Sequence, residues 1–347
     1  MLKKIKFALM KKKIPVLLLI SLLFQTCKTD FDVIAPYKEI IVIDGLINAI
    51  DTVQYIKVSK AFLGVGNALI MAQQSDSINY ADILDVQLEK VSNGPDVIIP
   101  LSRTELFNKD SGTFAYPFHV LYKTNVVIDQ NAQYRIRVTN RQTGVVATSL
   151  TKIVKDMQIS TPISCTTSPY CDSIDMATGS NNKYNVVFFP GANSVIFDLI
   201  IRFHYREIDP FGNSVPKNVD WNFSDQSSTN TPTEVKFTFS KYELYQVIGA
   251  NIPDKPGYIR RIDSLSAGLK PVEIICLAGS VDLQTYMQLQ APTTGIVQDR
   301  PIFTTVNNGL GLFTSRIVHS IFRYPNAVTQ AAFDTSVATR NKNFRFN

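Results

Sequence analysis

The sequence predicts a mainly β protein, an N-terminal immunoglobulin/fibronectin-like β-sandwich followed by a second β-rich domain with short helices. Three observations carry that expectation. Short apolar segments alternate with polar residues at period two and are separated by Gly, Asn and Pro turns. Residues 133–139 alternate cleanly, and 140–144 form a turn before a second alternating run at 145–150, which together make a hairpin. Helix signals occur only in the second half of the chain.

Taken in order, residues 39–46 are rich in Ile and Val and read as the first strand. Residues 52–59 alternate, with Val53, Tyr55 and Lys57 on one face and Gln54, Ile56 and Val58 on the other. Segments 85–91 and 111–120 supply further strands, so residues 38–155 are assigned to the sandwich. Residues 156–182 are Ser/Thr-rich and break the pattern, acting as a linker. The second domain, 183–347, opens with strands at 184–189 and 194–207. Residues 240–247 begin with Ser240 and carry Glu243 at the third helical position, the pattern of a capped helix. Residues 280–289 read as another helix, 303–322 as strand and turn, and 341–347 show no core pattern.

The charge balance is uneven along the chain. The 347 residues include 35 Lys+Arg and 29 Asp+Glu, a formal +6. Lys3, Lys4, Lys6, Lys11, Lys12 and Lys13 all precede residue 14, and residues 1–26 contain no acid. Without that segment the remainder is formally neutral, so the composition offers no sequence-wide case for nucleic-acid binding. The lysines precede an apolar run at residues 14–24, of signal-peptide length and too short for a bilayer of roughly 30 Å. The run ends in Gln25-Thr26-Cys27 and turns polar at once. Residues 1–26 therefore read as a lipoprotein signal peptide, Cys27 as the lipidated residue, and 27–37 as a short tether. Asp30 and Asp32 after Cys27 resemble the surface-export signals of Bacteroidetes lipoproteins, which implies the outer membrane, on its periplasmic face or at the cell surface. A simple cleaved signal with an incidental Cys, or an uncleaved anchor, is the alternative.

Three other cysteines occur. Cys165 and Cys171 flank a turn-rich stretch and read as a local disulfide in an exported setting. Cys276 lies in an apolar strand and reads as a core thiol. His119, His204 and His319 sit in strand-like sequence without metal-ligand spacing, so no metal and no cofactor is expected. No nucleophile elbow, phosphate loop or dinucleotide loop is present, so no catalytic residue is assigned. Trp221, beside the polar loop 224–233, is the one candidate for an exposed aromatic ligand contact, with core packing as the competing reading. Asn308, Gly309 and Gly311 read as a tight turn requiring positive φ.

Several of these segments together resemble a family of Bacteroidetes outer-membrane lipoproteins, the domain-of-unknown-function 4249 family. The likeness begins at Cys27 and runs through Ile41-Val42-Ile43-Asp44-Gly45-Leu46-Ile47. It continues in Asp85-Val86-Gln87-Leu88, Asp110-Ser111-Gly112-Thr113-Phe114 and Tyr134-Arg135-Ile136-Arg137-Val138 with Gly144. It ends in Asn307-Asn308-Gly309-Leu310-Gly311-Leu312-Phe313. The resemblance implies a β-rich lipoprotein, often encoded with a TonB-dependent β-barrel transporter, and no established catalytic residue. The expected function is thus a non-enzymatic outer-membrane lipoprotein binding a ligand or partner as an accessory subunit of such a transporter. The alternative is a structural or adhesive cell-surface lipoprotein.

Overall fold

A computed structural model describes residues 38–62, 67–163, 172–177, 182–262, 270–291 and 301–346. Cys27, Cys165 and Cys171 fall outside the described residues, as do the signal and tether. Contacts divide the chain into a small unit, residues 1–38 and 63–68, and a large one, residues 39–62 and 69–347. Of the small unit only Lys38, Asn67 and Ala68 are described.

The elements follow in chain order. The first group is β1 (Ile41–Asn48), β2 (Gln54–Lys60), α1 (Ala68–Ala72), α2 (Ser75–Ile78), β3 (Leu84–Val91), β4 (Val97–Pro100), β5 (Ser102–Leu106), β6 (His119–Thr124), β7 (Gln133–Asn140) and β8 (Val146–Lys152). Next come β9 (Gln158–Thr161), β10 (Ser173–Ile174), β11 (Lys183–Phe189), β12 (Ile196–Ile208), β13 (Ser214–Asn222), β14 (Gln226–Ser227) and β15 (Val235–Ser240). The last group is α3 (Lys241–Asn251), β16 (Ile259–Ile262), β17 (Val272–Gly279), α4 (Val281–Gln290), β18 (Gly309–Pro325), α5 (Ala327–Thr335) and β19 (Phe344–Phe346).

The protein is mainly β, with a sandwich-like arrangement of sheets and short helices. The largest sheet runs β19-β16-β12-β17-β18-β1-β2-β6-β5, with β10 on β18 and with β13 and β14 on β12. A four-stranded sheet runs β4-β3-β7-β8 and a three-stranded one β15-β11-β9. The alternation read from the sequence is the alternation that buries the core. Ile41, Ile43 and Ile47 of β1 share one buried cluster with Ile56 and Val58 of β2 and with Tyr134, Ile136 and Val138 of β7. The hairpin forms as its sequence predicts, with Gln133 opposite Lys152 and Thr139 opposite Val146.

The expected division into two domains is overturned. β1 pairs in parallel with β18, Ile41 opposite Gly309 and Asn48 opposite Arg316, while β2 pairs antiparallel on its other side. Strands from 38–155 and from 183–347 therefore lie in one sheet, and buried residues from both halves make one core. Within 156–182 the described residues include β9, which pairs with β11, and β10, which pairs in parallel with β18, so these parts are built into the sheets. Local composition reads a polar stretch as a linker because it carries no record of long-range pairing.

Two glycines make the parallel pairing physically available. A Cβ on Gly309 would stand 2.5 Å from the Ile41 carbonyl oxygen, and one on Gly311 would stand 2.2 Å from that of Ile43. The tight-turn reading of Asn308, Gly309 and Gly311 holds for Asn308 and is corrected for the two glycines. Asn308 occupies a turn at φ 54° and donates from Nδ2 to the Val146 carbonyl at 2.7 Å. Gly311 has φ 108° but lies within β18, and Gly309 is a strand residue without positive φ. Both are small because a neighbouring backbone passes at their Cα atoms.

Other expectations change more locally. Residues 111–118 are irregular, and the strand begins only at His119. Ser240 precedes α3 in extended conformation but makes no side-chain capping bond, whereas Ser280 accepts from the Leu283 N–H at the start of α4. The C-terminal residues are part of the core after all. Phe344 is buried on Phe203 and Phe333, with ring centroids 5.9 and 5.0 Å apart, and β19 pairs in parallel with β16. Fully buried Arg260 fastens that end, donating to the carbonyls of Lys342 at 3.0 Å and Pro253 at 2.9 Å, with Glu207 at 3.4 Å.

Candidate functional site

The outer face of β18, β1 and β2 is built by the same alternation that fills the core. Because Ile43 and Ile47 point inward, Asp44 and Leu46 point outward, and the inward Ile56 sets Tyr55 and Lys57 on the outer face of β2. Leu312 and Arg316 of β18 lie on the same side, with Asp44 opposite Leu312 and Asn48 opposite Arg316. Helix α4 crosses β18 from outside and supplies Tyr286. Of these residues Asp44, Leu46, Tyr55, Leu312, Arg316 and Tyr286 line a cleft of about 440 Å³, within the range of small-molecule sites, while Lys57 lies beside it, opposite Asp44. Tyr55 and Tyr286 keep 47% and 36% of their surface exposed, so both rings are accessible for stacking.

The charges in this cleft are arranged unusually. Asp44 is reached by solvent, yet burial of its surroundings raises its carboxyl pKa, while Lys57 and the Leu312 N–H oppose the shift. Lys57 is pushed down by burial and by Lys109, with Asp44 pulling the other way. Asp51 accepts from Asn48 Nδ2 at 2.9 Å, which fixes the β1–β2 turn at the cleft edge. Gln54 is committed to the same turn, binding both the N–H and the carbonyl of Asn48. Arg316 is different: its Nε is buried without a hydrogen-bond partner, and among the described residues its guanidinium makes no ion pair. A buried donor left unpaired costs about 1–3 kcal/mol, so such groups call for an explanation.

A second cleft, of about 530 Å³, lies where Gln133 and Lys152 meet the Thr229-Asn230-Thr231 loop and the start of α4. Some of its polar groups are taken up by the fold. Ser280 caps α4 and shares a 2.5 Å contact with Thr314 Oγ1, and Asn193 Nδ2 donates to the Ile153 carbonyl at 2.8 Å. Burial raises the pKa of Asp282 there. No aromatic side chain lines this cleft among the described residues, and the β1–β2–β18 cleft has the richer recognition chemistry.

The histidines occupy structural networks. His204 Nε2 lies 2.8 Å from Glu273 Oε2, and Arg202 holds Asp220 in a bidentate pair at 2.7 and 2.8 Å. His204 and Ser320 both hydrogen-bond Glu273, and with the His204 bond as the largest cause the Glu273 carboxyl is held low against burial. A serine nucleophile needs its hydroxyl on the imidazole, so this geometry is a cross-strand ladder and not a catalytic triad. His319 faces Asp156 at 3.2 Å, and His119 faces Asn108 at 3.0 Å. Among the described residues no group of three His, Cys, Asp or Glu side chains is placed to hold a metal.

Trp221 sits half-buried in an aromatic cluster, 4.5 Å from Phe223 and 4.9 Å edge-on to Phe239 by ring centroids, and away from both clefts. Asn308, Gly309 and Gly311 likewise organise the sheet and line neither cleft. Sequence inspection overlooked Asp44 and Arg316 as site residues. The available signal was a single charged residue, Asp44, in the apolar run Ile41-Val42-Ile43-Asp44-Gly45-Leu46-Ile47. No family model matches the chain, and comparison with curated proteins finds no match either.

Proposed function

We propose that this chain is a non-enzymatic lipoprotein of the outer membrane, tethered through Cys27, that binds a ligand or partner as an accessory subunit of a TonB-dependent β-barrel transporter. The observation that carries the binding half of this reading is the β1–β2–β18 cleft. It presents an uncommitted arginine, two accessible tyrosines and an aspartate, which are recognition groups, and no nucleophile hydrogen-bonded to a base. The membrane half is supported by the lysine-rich start, the apolar run of signal length and the Cys that ends it. The likeness of residues 41–47, 134–144 and 307–313 to a lipoprotein family supports the partner. The first and last of these segments meet in the fold, where β1 lies on β18 at Gly309 and Gly311, and Asn307 bridges to Thr148 in the second strand of the hairpin that residues 134–144 begin.

The test is affinity capture of the full-length protein from membranes extracted in mild detergent. Recovery of an outer-membrane β-barrel in stoichiometric amount is expected. A Cys27→Ala chain should leave the membrane fraction. Recovery of the lipoprotein alone under several detergents removes the accessory-subunit reading.

A further inference from the structure

Opposite charges in the β1–β2–β18 cleft are held apart instead of neutralising each other. Arg316 has no carboxylate partner among the described residues, although Asp44 and Asp51 line the same cleft. Its neighbour across β17 is Gly279, which adds no side chain beside the guanidinium, and its Nε is buried and unpaired. Asp44 also forms no ion pair among the described residues; its opposite residue on β2 is Lys57, and the Leu312 N–H is its one named hydrogen-bond donor. Opposite charges in one concavity normally collapse onto each other when the backbone allows it. Here strand register fixes them at different positions, Asp44 opposite Leu312 and Arg316 opposite Asn48. Tyr55 and Tyr286 line the space between strand and helix, and Leu46 and Leu312 give it apolar surface.

We propose that this cleft binds a small zwitterion, an ammonium and a carboxylate within one molecule, with the carboxylate on Arg316 and the ammonium on Asp44 beside the rings of Tyr55 and Tyr286. A planar guanidinium accepts a carboxylate through two parallel hydrogen bonds. A cation beside accessible tyrosines gains from the ring faces as well as from the aspartate. A ligand bearing one charge only leaves the opposite residue unpaired in a partly desolvated site, which disfavours it. Free amino acids and short peptides share this chemistry. The inference rests on the binding reading above and does not depend on a barrel partner.

The decisive experiment is calorimetric titration of the full chain in detergent with L-alanine, dialanine, N-acetyl-dialanine and dialanine amide. Binding of alanine or dialanine is expected, and whichever binds identifies the free amino acid or the peptide as the source. For a peptide, each cap should weaken binding tenfold or more; these comparisons use the unaltered protein, so no variant needs to fold. If alanine alone binds, its acetylated and amidated forms serve as the same controls. Arg316→Gln should bind weakly and become indifferent to amidation of the carboxylate, and Asp44→Asn should become indifferent to acetylation. Equal affinity for capped and free forms, or no binding of any probe at millimolar concentration, overturns the proposal. Capture of a barrel alongside such a negative result leaves the transporter reading standing. Zwitterion binding without a captured barrel does the reverse.

Discussion

Gly311 passes so close to Ile43 that a Cβ at its position would stand 2.2 Å from the Ile43 carbonyl oxygen. This contact lets a strand from the C-terminal third of the chain lie parallel beside the first strand. Three glycines separate the two reasons a glycine is needed. Gly144 has φ 71° with nothing within 4 Å of where a Cβ would stand, Gly309 has a clash without positive φ, and Gly311 has both. Gly144→Ala should cost about 1–2 kcal/mol from conformation alone. Gly309→Ala should cost more, because backbone has to move. Gly311→Ala should be worst, adding about 1–3 kcal/mol of backbone strain to the collision. Urea denaturation of the three variants gives the order, and equal losses at all three would contradict it.

The carboxylate of Glu89 is nearly buried and receives Arg135 Nη1 at 2.8 Å and Arg137 Nε at 2.5 Å. The Arg137 hydrogen bond, outweighing burial with help from Arg135, holds its pKa below the usual value. A carboxyl with a depressed folded-state pKa stabilises the fold above its unfolded pKa, and that contribution is lost as pH falls through the folded value. Glu89→Gln should cost about 1–3 kcal/mol at neutral pH, a range kept modest because both arginines are partly exposed. The variant should also lose less stability than the parent on acidification. Urea midpoints measured from pH 7 downward check both statements, and parallel curves would refute the assignment.

Asp44 has the opposite sign. Burial raises its folded-state pKa, so its ionisation opposes folding at neutral pH. Asp44→Asn should therefore be more stable than the parent above the raised pKa. The advantage should shrink as pH falls and vanish below the ordinary carboxylate pKa, where both states are protonated. Thermal melts across that interval provide the measurement. A stabilising loss of this kind is the expected mark of a residue kept for binding.

Cys276 is fully buried, and desolvation pushes its thiol up to about 12. It should resist a soluble disulfide reagent in the native protein and react stoichiometrically once the chain is unfolded in urea. Peptide mapping after native labelling distinguishes it from Cys27, Cys165 and Cys171. Native modification at Cys276 would show that β17 opens readily.

Much of the fold is legible where the signal is local. The 133–150 hairpin and the inward Ile residues of β1 follow from alternation, and helices form at both segments that read as helical, 240–247 and 280–289. The order of the sheets is not legible, because which strand lies beside β1 depends on pairing across almost the whole chain. Strand β19 escaped notice since three residues carry too little periodicity, although Phe344 is buried. The cleft is half legible: alternation puts Asp44 and Tyr55 on the outer face, but only the β1–β18 register brings Arg316 to them.

The placement of β1 between β2 and β18 sets an order of events during synthesis. The first strand emerges early, and its parallel neighbour is among the last segments to appear. Until then β1 has one bare edge, with unsatisfied N–H and C=O groups alongside Ile41 and Ile43, an invitation to pair with another chain. Closing so distant a contact is intrinsically slow. A chain that terminates before residue 309 never receives that strand, so its β1 edge stays open to pairing with other chains.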